Sequence, residues 1–277
     1  MLRQRVITAV VLLGILVPAL LADSPWPFAV VTLVLIAAAG WEWGRLNGLR
    51  AAAVGVGALV GLACLIALLG RWFVGPPAIL WWLALASWVL GGAWLLRAGV
   101  AGWPAMGVAA RTLIGMVALS VAWLALASAR ADGVNFILSV FALVWVADIA
   151  AYFGGRRFGR RKLAPGISPG KSWEGVWSGM AGVMLLAGAW IAIDRLGFVD
   201  APSLYSRLLD RLGVPALVLA LAFLAAMSVV GDLLESLVKR AAGAKDSSRL
   251  LPGHGGVLDR IDALLPVFPI ALALRSL

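Results

Sequence analysis

The residues best suited to chemistry are acids standing inside otherwise apolar sequence. Asp148 lies in VWVADIAAYFGG, Asp232 and Glu235 in VVGDLLESLVK, Asp259 and Asp262 in GVLDRID, and Glu42 in GWEWG. A carboxylate at the centre of a membrane helix costs about 2.5–3.5 kcal/mol on insertion scales, so each needs an internal partner or a wet cavity. The spacing of three within Asp232/Glu235 and within Asp259/Asp262 puts each pair on one helical face. Glu42 reads as a structural partner for an arginine. Asp148, Asp232 and Asp259, taken as a set, suit a hard divalent cation such as Mg²⁺, which binds through one or two carboxylates together with substrate phosphates. Zinc would lack ligands, because His254 is the only histidine and Cys64 the only cysteine.

Two loops supply the complementary charge. GGRRFGRRKLAPGISPGKSWE spans Gly154–Glu174, and KRAAGAKDSSRLLPGHGGVLDRID spans Lys239–Asp262. Both mix Lys and Arg with glycine and serine. Glycine lets backbone N–H groups approach phosphate oxygens closely, which makes Gly255 and Gly256 candidates for cradling a bound nucleotide. Lys and Arg add charge-assisted hydrogen bonds. His254, within Pro252–Gly256, is suited to donate to a phosphate or to fix the loop.

The elements that must position these groups are membrane helices. Of 277 residues, 63% are hydrophobic and 13% charged, about half the charge of an average soluble domain. The mean hydropathy is +1.01, and apolar runs of about 20 residues, the length a bilayer core demands, recur throughout. The expected fold is all-α: a polytopic integral membrane helical bundle of about nine transmembrane helices. They fall near 6–22, 28–46, 52–70, 78–97, 105–128, 134–154, 173–194, 213–240 and 257–276. Residues 1–22 share features with a signal peptide but read as an uncleaved first span. Residues 1–277 form one integral membrane domain, with motif-free spans over 1–130 and the chemistry over 131–277.

With the N-terminus cytoplasmic, the inside segments hold Arg3, Arg5, Arg45, Arg50, Arg97, and the Lys and Arg of both basic loops. That places 16 basic residues inside against 6 outside, with Arg111 within a span, and the positive-inside rule favours this orientation. Both basic loops then face the cytoplasm. Asp194 and Asp210 fall at the opposite face, away from any site. Arginine outnumbers lysine 19 to 4, a bias of GC-rich bacterial genomes that points to an inner membrane.

The 27 residues Ser236–Asp262, with Lys239-Arg240, Lys245-Asp246, Pro252-Gly-His254-Gly-Gly256 and Leu258-Asp259-Arg260-Ile-Asp262, closely resemble the phosphatidate cytidylyltransferase signature. Asp148-Ile-Ala-Ala-Tyr152, Gly154-Gly-Arg156, Gly159-Arg160 and Ser168-Pro-Gly-Lys171-Ser172-Trp-Glu174-Gly resemble that family's upstream block. Residues 1–130 share only hydropathy and length. The resemblance implies a polytopic, dimeric enzyme that makes CDP-diacylglycerol and pyrophosphate from CTP and phosphatidate at the cytoplasmic face. It puts metal-binding aspartates at Asp232 and Asp259, with Mg²⁺ as cofactor and a second cation allowed. By the same matching, Asp148, Lys171, Ser172, Lys239, Arg240, Lys245, Asp246, His254 and Arg260 line the nucleotide and phosphate site. Expected partners are CTP, phosphatidate, membrane lipid and a second copy of the chain, with no nucleic acid. A transporter also uses intramembrane acids, but the one-sided motifs and the lack of repeat symmetry argue against it. An ether-lipid phosphate is the nearer alternative substrate.

Overall fold

A computed structural model describes residues 2–277, with side chains from residue 4 onward; the Arg3 side chain lies outside the described residues. Helices dominate: α1 (Leu2–Leu21), α2 (Trp26–Leu46), α3 (Ala53–Leu69, preceded by a 3₁₀ turn at Arg50–Ala52), α4 (Ala78–Ala105), α5 (Val108–Ala131) and α6 (Val134–Phe158). A small antiparallel hairpin, β1 (Lys162–Ala164) and β2 (Ser168–Ser172), leads into α7 (Trp173–Asp194). Then follow α8 (Leu204–Ala241), the single turn α9 (Leu258–Ile261) and α10 (Leu264–Arg275). Among the described residues, eight helices are long and apolar enough to cross a membrane, and the chain is a multi-pass helical membrane protein.

The ninth apolar run is broken rather than continuous. α10 has 12 residues, a rise of about 18 Å, and is preceded by α9 and a two-residue turn at Asp262 and Ala263. Its C-terminal end still meets the ends of other helices. Trp82 donates to Ser276 Oγ at 3.2 Å, Arg211 donates to the Arg275 carbonyl at 2.9 Å, and Arg275 pairs with Asp132. The two longest helices are also broken, α4 at Gly99 (φ 68°) and α8 at Gly213 (φ 75°). The expected start of the eighth span at 213 falls on the second break.

The chain forms two interleaved units. The first comprises Met1–Pro76, Ala98–Ala131 and Glu235–Asp262; the second comprises Pro77–Arg97, Asp132–Leu234 and Ala263–Leu277. In the first unit, α2 and α3 approach closely because Gly44 and Gly57 leave no Cβ between them: one would stand 2.8 Å from Ala53 Cα, the other 2.7 Å from the Ala37 carbonyl. Trp43 fixes the end of α2 by donating to the Arg111 carbonyl at 3.0 Å and by an edge contact with Trp103. Arg5 and Thr8 of α1 donate to the Gly253 and Pro252 carbonyls at 2.9 and 3.0 Å.

In the second unit, α6 and α7 pack along a seam where Cβ atoms on Gly175 and Gly179 would sit 2.9 and 2.8 Å from carbonyl oxygens of α6. Asp194, at the far end of α7, accepts from Ser203 N–H and Oγ, Ser206 Oγ and Asn135 Nδ2 at 2.5–2.9 Å. Asp210 makes only an exposed pair with Arg195 at 3.2 Å. Asp194 is therefore a structural knot, and of these two acids Asp210 alone is free of structural duty.

Candidate active site

In the second unit the upstream block closes around a cavity of about 510 Å³ lined by Asp148, Tyr152, Gly155 and Arg156 of α6, Ser168, Gly170, Lys171 and Ser172 of β2, and Asp232 of α8. Asp148, Tyr152 and Arg156 recur at the helical spacing of four, which aims them at one space. The hairpin turns at Pro165, with Ile167 N–H donating to the Ala164 carbonyl at 3.1 Å. It carries Lys171 to Asp232, Nζ to Oδ2 at 2.6 Å. Ser172 ends the strand and caps α7, its buried Oγ accepting from Gly175 N–H at 3.2 Å. Glu174, in the first turn of α7, accepts from Arg160 N–H at 3.0 Å and pairs with Arg161 at 3.3 Å. Expected as a basic loop, this stretch is a hairpin strapped to a helix.

In the first unit the signature wraps around Asp259, whose side chain is only 6% exposed. Oδ1 receives Lys239 Nζ at 2.6 Å. Oδ2 accepts from Ser247 N–H and Oγ, both at 2.9 Å, and from Gly256 N–H at 2.7 Å. Burial by itself would raise the Asp259 carboxyl, but these donors, led by Lys239, hold it down at about 2. Lys239 also reaches Glu235, four residues back on α8, at 2.5 Å. Gly255, with φ 84°, leaves the space into which Asp259 Oδ2 fits. Gly256 is pressed against Ser247 Oγ and Glu42 Oε1, with no room for a Cβ. Glu42 faces that loop rather than an arginine, which corrects the reading given to it from sequence.

The remaining predicted residues lie around this centre. His254 tops the turn closed by the Leu251–Gly255 bridge, half-buried, its Nδ1 without a hydrogen-bond partner among the described residues. Arg240, Lys245, Asp246 and Arg260 are exposed, which leaves their heads available to a ligand from water. The structure thus gathers Asp148, Lys171, Ser172 and Asp232 in one unit, and Lys239, Asp259, Gly255 and Gly256 in the other. Sequence reasoning omitted Tyr152 and Arg156 from the site, although their spacing from Asp148 marks them. It also omitted Ser247 and Ser248, whose contacts arise only from tertiary packing.

An acid-lined cavity with Lys171 at its edge in one unit, and a glycine-rich turn around a largely buried aspartate in the other, are features suited to phosphate handling on a helical membrane scaffold. The cytidylyltransferase family description matches residues 3–277, and the chain belongs to that family. It is 39% identical to the phosphatidate cytidylyltransferase of Pseudomonas aeruginosa over 99% of this chain and 97% of the relative. It is 37% identical to that of Haemophilus influenzae over 97% and 96%, and 39% identical to that of Brucella suis over 82% and 68%.

Proposed function

We propose that the chain is a phosphatidate cytidylyltransferase, transferring CMP from CTP to phosphatidate to give CDP-diacylglycerol and pyrophosphate. The observation that carries this reading is the near-full-length likeness to enzymes of that name, with signature residues Lys239, Gly256 and Asp259 bonded into one compact centre. The attacking phosphate oxygen of phosphatidate is largely ionised at neutral pH, so no strong general base is required. The residues have three tasks: align two anions, offset their charge and exclude side reactions. Lys171 and Arg156 are suited to the phosphates that enter the cavity of the second unit. Arg240, Lys245, Arg260 and His254 are suited to a phosphate chain arriving from water.

The donor set fits a hard divalent cation. The acids of the two motifs offer oxygen only, and Asp259 and Asp232 each already hold one positive ammonium at 2.6 Å. We assign Mg²⁺ binding to Asp232 and Asp259, with a second cation allowed. When bound, such a cation would supply positive charge to the phosphoryl oxygens and to the leaving pyrophosphate. No group of three or more Asp, Glu, His or Cys side chains forms a ready cage among the described residues, which suits Mg²⁺ because it keeps waters and substrate oxygens.

We place the N-terminus and both basic loops in the cytoplasm and the chain in a bacterial inner membrane, on the charge bias. The Arg5 and Thr8 bonds to Gly253 and Pro252 support a shared side for the N-terminus and the signature loop. A homodimer follows from the family resemblance. The test is the fate of label. Radiolabel at the α-phosphorus of CTP is expected to appear in lipid, label at the γ-phosphorus in pyrophosphate, and chelation by EDTA to stop both until Mg²⁺ is returned. Transfer of the γ-label to lipid would identify a kinase instead.

A further inference from the structure

We propose that Glu42 is a positioning residue: buried in α2, it anchors the loop from Ser247 to Leu258 and through it sets the Asp259 carboxylate. The proposal rests on the reading that Asp259 belongs to the reaction centre. Glu42 is 0% exposed, and no Lys or Arg among the described residues lies within ion-pair distance of it. A buried carboxylate without a cation must be met by hydrogen-bond donors, and all four come from the signature loop, 205–216 residues away in sequence. Oε1 accepts from Ser248 Oγ at 2.5 Å and Val257 N–H at 3.0 Å. Oε2 accepts from Ser247 Oγ at 3.1 Å and Leu258 N–H at 2.7 Å.

Two features make this a device for Asp259 rather than general packing. Ser247 Oγ stands 3.1 Å from Glu42 and 2.9 Å from Asp259, so one hydroxyl ties the two acids together. Val257 and Leu258 directly precede Asp259, so fixing their N–H groups fixes the backbone that presents its side chain. The platform itself is rigid: Trp43 is bonded to the Arg111 carbonyl, and Gly44 lets α3 pack against α2 beside Glu42. The requirement is for a carboxylate specifically. Each oxygen faces one backbone N–H, and a backbone N–H only donates. Glutamine matches the size, yet in either orientation it turns an NH₂ toward one of those N–H groups.

The test uses the full-length protein in lipid nanodiscs, comparing wild type, Glu42→Gln and Ser248→Ala. Glu42→Gln is expected to lower turnover of CTP and phosphatidate by about 10–100-fold, the range seen when a group orienting a metal ligand is lost. Amide hydrogen exchange is expected to speed up at least tenfold over residues 246–258 and to stay unchanged in α3, α6 and α7. Ser248→Ala removes one donor and leaves Val257 N–H in place, so a smaller loss of roughly 2–10-fold is expected; if Glu42→Gln yields no folded protein, this variant decides alone. Turnover within twofold of wild type in the deciding variant overturns the proposal. So does lost turnover with unchanged exchange over 246–258, and so does exchange raised equally in every helix. The exchange reading is independent of the reaction: a wild-type protein that turns over no CTP would refute the assigned activity, and the loop measurement would still test the anchor.

Discussion

At the scale of single residues, one carboxylate of the signature is held through both of its oxygens. Asp259 takes four protein donors and holds its charge with a carboxyl pinned near 2. Asp259→Asn keeps the shape but puts an amide where Lys239 or the Ser247 and Gly256 N–H groups must donate. It also removes the charge a cation needs. CTP turnover is expected to fall by at least 100-fold, on the scale of losing one preorganised charge-stabilising contact. Asp259→Glu is expected to fail comparably, because the Mg²⁺ proposed there would tolerate little departure from octahedral geometry. Asp210→Asn, at an exposed pair, should leave turnover unchanged; Asp194 cannot serve as that control, since four donors depend on it. Rates for the three variants at saturating CTP check the set, and a fully active Asp259→Asn would break the assignment. The acids were legible from sequence because a charge in an apolar run is conspicuous. Their partners were not. Glu42 was read as paired with arginine, and no local pattern reveals donors more than 200 residues away.

At the scale of elements, the sequence marks where helices run better than how they end. Apolar length and breakers placed the spans, and the expected start of the eighth at 213 falls on the glycine where α8 breaks, so the helical stretch before it went unread. The hairpin at 162–172 was not visible. Its strands have three and five residues, too short for an alternating pattern to register, and they are held by tertiary straps from Glu174 and Lys171. The ninth span was read as one helix, whereas the structure has the single turn α9, which carries Asp259, then a two-residue turn at Asp262 and Ala263, and then α10. Ser172 was assigned to the phosphate site from the family motif, and its position adds a structural task as the cap of α7. Ser172→Ala is expected to cost about 1 kcal/mol of stability, while Ser172→Thr should retain most of it. Thermal unfolding of both variants in one detergent distinguishes the cap, and an unchanged midpoint for Ser172→Ala would remove it.

At the scale of the whole molecule, charge and hydropathy alone indicated a multi-pass protein, and the eight long apolar helices among the described residues agree. The interleaving of two units from separated stretches was beyond what composition encodes. Sidedness is tested directly with single cysteines at Arg161 and Ala244, since the native Cys64 is buried and gives little background. Both are expected to react with a membrane-impermeant thiol reagent only when the cytoplasmic face is open, and reaction from opposite faces would contradict the proposed orientation.

The proposed reaction joins CTP to phosphatidate. Pyrophosphate release by the purified protein, followed continuously with CTP, phosphatidate and Mg²⁺, addresses it most directly. Release is expected to require all three components and to match CDP-diacylglycerol formation mole for mole. Release that continues without phosphatidate, or none from wild-type protein that is folded and embedded in lipid, would contradict it.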